Sequence, residues 1–148
     1  MSLKDKIKDD VKQAMRARDA ARLEALRLLQ AAIQRREVDE RVVLDDLQVT
    51  AVIDKLVKQS NEAVEQFEKG ARQDLAEKEH FQIEQWKQYL PQPLSESEVD
   101  ALIAAAVGAT GAASLKDMGK VMAELKPKLQ GRADMGRVGA KVKSRLGA

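Results

Sequence analysis

The chain has 148 residues, 44% apolar and 34% charged, with 26 basic side chains against 24 acidic ones. This balance fits a folded, helix-rich protein and excludes a disordered one, and the length holds one ordinary domain or two small ones. With no cysteine, disulfides, thiolate zinc sites and a cysteine nucleophile are excluded. No basic N-terminal stretch leads into an apolar run, and no segment reaches the roughly 18–20 apolar residues of a membrane span, so a cytoplasmic protein without a membrane partner is expected.

The first predicted helix opens on Ser2 and Asp5, a capping box with Asp in place of Glu or Gln. Leu3, Ile7, Val11, Ala14 and Met15 then repeat at helical spacing. Asp19 is the expected N-cap of a second helix that turns Leu23, Leu26, Leu29, Ile33 and, at its end, Val38 inward. Val38 to Arg41 breaks the period. Asp45 and Asp46 open a third helix, where acidic side chains suit the positive end of the dipole. Its stripe is Val49, Val52, Ile53, Leu56, Val57, Val64 and Phe67, and Gly70 is its expected C-cap. A fourth helix carries Leu75, Ile83, Trp86 and Leu90 and stops at Pro91, because proline disfavours helical geometry in the residue before it.

The stretch PQPLSESE, Pro91 to Glu98, is the clearest boundary. It predicts an all-α protein in two parts, an N-terminal helical domain over 1–92 and a small three-helix domain over 93–148. Ser95 and Glu98 form a capping box for a helix to about Ala109. Ser114 and Asp117 cap the next helix, with Met118, Val121, Met122 and Leu125 on its apolar side. Pro127 lacks an N–H, so that helix is expected to end or kink near it. Gly131 assists a turn. Asp134 caps a last helix with Val138, Val142 and Leu146. Gly119, in mid-pattern, reads as a place for close helix–helix approach, or as access for a ligand.

A self-contained catalytic set is not visible. His80 is the only histidine. Glu77 and Glu84, three and four residues away, make a carboxylate–histidine metal site conceivable, but an ordinary exposed or half-buried helix residue is the reading one histidine favours. Ser2, Ser60, Ser95, Ser97, Ser114 and Ser144 read mostly as helix caps, and no triad can be built from them. There is no phosphate-binding glycine loop. Catalytic residues, metal and cofactor are all expected to be absent.

The one-sided feature is charge. From Lys116 to Leu146 there are nine basic residues against three acidic ones. Such a bias suits phosphate binding. The four aromatic residues, Phe67, Phe81, Trp86 and Tyr89, all lie earlier, which argues against stacking on unpaired bases. The candidate contacts are Lys116, Lys120, Lys126, Lys128, Arg132, Lys141 and Arg145. A hairpin of the last two helices is expected to gather them on one surface and to grip the backbone of a folded RNA.

The segment MGKVMAELKPKLQGRADMGRV, Met118 to Val138, resembles the C-terminal signature of the GatB/YqeY family. MSLKDKIKDDVKQAMRARDAARLEALRLLQAAI, KQSNEAVEQFEKGARQDLAEKE and YLPQPLSESEVDALI extend the resemblance over essentially the whole chain, closest to the free-standing YqeY-like proteins. The resemblance implies a helical domain followed by a three-helix domain similar to the tail of the GatB subunit of the tRNA-dependent amidotransferase. That tail is associated with recognition of the tRNA body. The family label is a carbon–nitrogen ligase with glutamine as amide donor, but the parts that carry this chemistry lie in another GatB domain and another subunit. The resemblance therefore implies a noncatalytic module that binds tRNA or associates with the amidotransferase or other translation proteins. The alternative is a helical protein–protein adaptor whose lysines only solvate it.

Overall fold

The computed structural model describes residues 1–147. It contains seven α-helices and no strand among the described residues: α1 Leu3–Arg16, α2 Ala20–Glu40, α3 Asp46–Lys69, α4 Gln73–Lys87, α5 Glu96–Thr110, α6 Met118–Leu129 and α7 Met135–Gly147. A short 3₁₀ turn, Leu115–Asp117, precedes α6. The chain forms two compact units, Met1–Leu90 and a second from Pro91 onward.

Helix starts follow the local chemistry. In α1 the Asp5 N–H donates to the Ser2 hydroxyl at 3.1 Å, and Ser2 N–H donates back to the Asp5 carboxylate. Asp45 and Gln48 cap α3 in the same reciprocal way. Asp46 does something the spacing did not foretell: it accepts the Leu3 N–H at 2.9 Å, joining the starts of α1 and α3. Gly70 is the C-cap of α3 with φ −85°, and the left-handed step falls on Ala71 instead.

In the first unit α1 lies along α2, α3 lies along α4, and α2 also packs on α4. Ile7, Val11, Ala14, Leu26, Leu29, Ile33, Val49, Ile53 and Trp86 form its main core. The Trp86 indole N–H donates to the Ala25 carbonyl at 2.8 Å, so its one polar group is satisfied inside. A smaller cluster of Val64, Ala76 and Ile83 lies further along α3 and nearer the start of α4.

Several expectations need correction. Val38 is 67% exposed, because Glu37 holds the stripe position and Val38 lies about 100° round the helix. Glu37 instead accepts from Lys4 at 2.7 Å and from the Leu44 N–H at 2.9 Å. Met15, one step round from buried Ala14, is 52% exposed. Helix α4 ends at Lys87, and a tight turn carries Tyr89 and Leu90 onto the core. Helix α6, by contrast, ends at Leu129, two residues past Pro127 and near where the proline was expected to end or kink it. The carbonyl that loses its donor there belongs to exposed Ala123 and can bond water, while Leu125 and Leu129 remain buried.

Candidate nucleic-acid interface

The second unit is built on three short apolar stripes. Val99, Ile103 and Ala106 of α5, Val121, Leu125 and Leu129 of α6, and Val138, Val142 and Leu146 of α7 form one buried cluster. Met118 and Met122 pack against it from the side, as their spacing suggested. Every other position of α6 and α7 lies on a flank or faces outward, which is where the basic side chains are.

Elements hold these helices in place by local bonds. Ser95 and Glu98 make the expected capping box of α5. Gly111 ends α5 with φ +65°, a backbone position that glycine adopts without a Cβ penalty. Asp117 accepts from the Ala113 N–H at 3.0 Å and the Ser114 N–H at 3.4 Å. Those two bonds, with Lys120 nearby, hold its carboxyl below the usual aspartate value. Asp134 caps α7, accepting from the N–H groups of Gly136 and Arg137.

The seven candidate residues have different situations. Lys141 donates to Asp100 at 2.7 Å and pairs with Glu96 at 3.0 Å, which raises its pKa, so it stays charged but is balanced by the acids of α5. Lys128 pairs with Glu124 at 3.3 Å, one turn away. Arg132 donates through Nε to the Gln92 carbonyl at 3.0 Å, and its own carbonyl accepts the Leu94 N–H at 2.9 Å. It therefore fastens residues 92–94 to the turn before α7. Lys116, Lys120, Lys126 and Arg145 are exposed and make no ion pair with any described residue.

Position along the helices sorts them further. Leu115 would sit 3.8 Å from a Cβ at Gly147, and Met118 4.0 Å from one at Gly139. The end of α7 therefore returns to the start of α6, which places Lys116 and Lys120 at the same end as Arg145. Lys126, Lys128 and Arg132 lie at the far end of α6, about 18 Å along for twelve residues. Lys126 and Lys128 are about 200° apart round the helix and flank its buried stripe on opposite sides.

The three acids of this segment are each committed: Asp117 to the turn, Glu124 to Lys128 and Asp134 to the cap. Arg137 and Lys143 are two further exposed cations without an ion pair among the described residues. The reading of the sequence left them out, although Arg137 stands four residues before Lys141 and eight before Arg145 on one flank.

Elsewhere, His80 is exposed, with Nε2 4.0 Å from Glu68 of α3 rather than close to Glu77 or Glu84. No three metal-ligating side chains converge among the described residues. Ser60 is not a cap: it is buried in the middle of α3 and donates to Glu79 of α4. Gly119 is exposed, and a Cβ there would meet nothing within 4 Å, so no helix approaches it.

Residues 4–146 match the family described as Yqey-like protein. The chain belongs to the Yqey-like protein family. It is 29% identical over 146 residues to the altered inheritance of mitochondria protein 41, mitochondrial, of Pyrenophora tritici-repentis, covering 97% of this chain and 80% of that protein. The protein of the same name from Lachancea thermotolerans is 38% identical over 100 residues, or 66% of this chain and 54% of its own length. The Candida glabrata protein is 33% identical over 95 residues, 62% of this chain and 52% of its own length. This Yqey-like chain thus spans about half the length of the last two relatives. Those relatives carry the word mitochondrial in their names, whereas the sequence alone led to a cytoplasmic expectation. Among the described residues no single helix is long and apolar enough to cross a membrane.

Proposed function

We propose that this Yqey-like protein is a noncatalytic module that binds the body of tRNA through its C-terminal three-helix unit, in association with the tRNA-dependent amidotransferase or other translation proteins. The observation that carries the reading is the set of exposed, unpaired cations on α6, α7 and the turn before α6, beside acids already engaged elsewhere. Lysine and arginine held this way contact phosphates without reading bases. The carbon–nitrogen ligase label with glutamine as amide donor comes from the family resemblance; this chain contributes RNA binding to that chemistry and not the amide transfer itself.

The test is tRNA affinity at several salt concentrations for the wild type and for Lys116→Ala, Lys120→Ala, Lys126→Ala and Arg145→Ala combined. Arg132 and Lys141 are left intact, because their side chains hold the unit together. Each phosphate contact removed is expected to reduce the slope of log K against log salt by roughly 0.7–0.9, with the loss similar for all folded RNAs. Unchanged affinity and slope in a variant with native circular dichroism would reject the reading. The adaptor alternative rests on exposed Val38, Val42, Val43 and Leu47 around the α2–α3 connection, and salt-insensitive binding to a protein of the translation machinery, lost on Val43→Asp, would favour it. The purified protein is also expected to release no ammonia from glutamine. Robust release, abolished by one point mutation, would overturn its noncatalytic assignment.

A further inference from the structure

The first unit contains a cleft that the basic face does not involve. It has a volume of about 350 Å³ and is framed by α2, α3 and α4. Its walls come from regular helical spacings: 28, 31, 32 and 35 on α2; 56, 59, 60 and 63 on α3; 79, 82 and 86 on α4. The space exists because Ala31, Ala32 and Ala63 stand where larger side chains would fill it. It lies beside the junction of the two apolar clusters of this unit, with Leu56 and Trp86 belonging to one, Val64 and Ile83 to the other, and Val57 packed against both.

Polar groups also line the cleft. Gln82 is only 6% exposed, yet its amide makes no hydrogen bond to any described residue, and its polar atoms open onto the cleft. An amide that reaches an open cleft bonds water there and can exchange that water for a ligand's polar group. Glu79 receives the Ser60 hydroxyl on one oxygen and has a second to offer. Arg35, on the α2 wall, is exposed and has no ion pair among the described residues. The rest of the lining includes the apolar Leu28, Leu56 and Trp86.

One cation, one anion, an amide and an apolar wall define a ligand chemistry. We infer that this cleft binds a small zwitterion with an aliphatic tail, an α-amino acid, with its carboxylate on Arg35, its ammonium on Glu79 and its side chain against Leu28, Leu56 and Trp86. Gln82, which can both donate and accept, bonds the ligand's polar end. This is binding only, with no covalent step. A site built from a few converging polar groups on an apolar lining is the usual form of a small-molecule pocket.

Trp86 is the only tryptophan and lines the cleft, so its fluorescence in the full chain reports occupancy directly. The probes are L-leucine, isocaproate, which lacks the ammonium, and isoamylamine, which lacks the carboxylate. L-leucine is expected to give a saturable change, and each truncated probe to bind about tenfold more weakly or worse, since it forfeits a charge-assisted bond. Arg35→Gln, at an exposed position, is expected to weaken leucine binding by a similar factor without changing Tm. Gln82→Leu is expected to weaken it in a protein that still folds, because the variant can neither donate to nor accept from the ligand's polar end. Ala63→Leu fills the space and should abolish binding in a folded protein. The inference is overturned by the absence of any saturable change with leucine, by truncated probes that bind as tightly as leucine, or by unaltered affinity in Arg35→Gln.

Discussion

Asp117 holds the backbone of the turn before α6 with a single carboxylate. The Ala113 and Ser114 N–H groups lower its pKa, and Lys120 adds to the effect. A carboxyl whose folded-state pKa is depressed adds stability above its unfolded value of about 3.9, and that contribution is lost as pH falls through the folded value. Asp117→Asn cannot titrate, so its curve of Tm against pH below about pH 4 should be shallower than that of the wild type. Parallel curves measured by circular dichroism would show that the bonds contribute nothing. At Gly119 the expectation has the opposite sign. The position is helical, exposed and open, so Gly119→Ala should stabilise by about 0.5 kcal/mol through the lower entropy of the unfolded chain. A loss of stability in urea titration would mean that something in solution approaches that backbone.

Helix α5 shows how an element is fixed at its ends. Its middle is almost wholly apolar and would be as content in another register, but Ser95 starts it and Gly111 stops it. Ser95→Ala should cost about 1 kcal/mol by leaving the Glu98 N–H without its partner. Gly111→Ala should cost about 1–2 kcal/mol, since φ +65° strains any residue with a Cβ. Urea unfolding followed by hydrogen exchange at α5 amides measures both, and a change under about 0.3 kcal/mol in either would show that packing alone sets the ends. In α6 the helix ends two residues after Pro127, near where the proline was expected to end or kink it. Proline removes one hydrogen bond, and near a C-terminus with an exposed acceptor that is too little to unseat Leu129 from the core.

At the scale of the whole molecule, the apolar clusters divide cleanly by unit: one large and one small cluster before Leu90, and one after it. Leu29→Ala and Leu125→Ala each empty a fully buried site and should each cost about 2–5 kcal/mol. We expect each loss to be confined to its own cluster. Trp86 reports the first unit alone, so Leu125→Ala should leave its unfolding midpoint unchanged while hydrogen exchange quickens across α5, α6 and α7. A shift in the Trp86 midpoint would show instead that the chain unfolds as one cooperative body.

The sequence by itself determined the all-α class, the helix starts at Ser2, Asp19, Asp45 and Ser95, most of the core stripes, the break in helix between Leu90 and Ser95, and the family. These are local or periodic properties: a cap needs a side chain within three residues, and a stripe needs only a repeat of 3.6. The tertiary structure decided everything that depends on which helix covers which. It turned Glu37 rather than Val38 to the α1 side, where it meets Lys4. It took Ser60, an apparent cap, into a buried bond with Glu79. It paired Lys141 with Glu96 and Asp100, some forty residues away in the chain, while leaving Arg145 unpaired. It also left Gln82 facing a cleft. Charge and burial at these positions are set by neighbours distant in sequence, and a linear pattern holds no record of their distance.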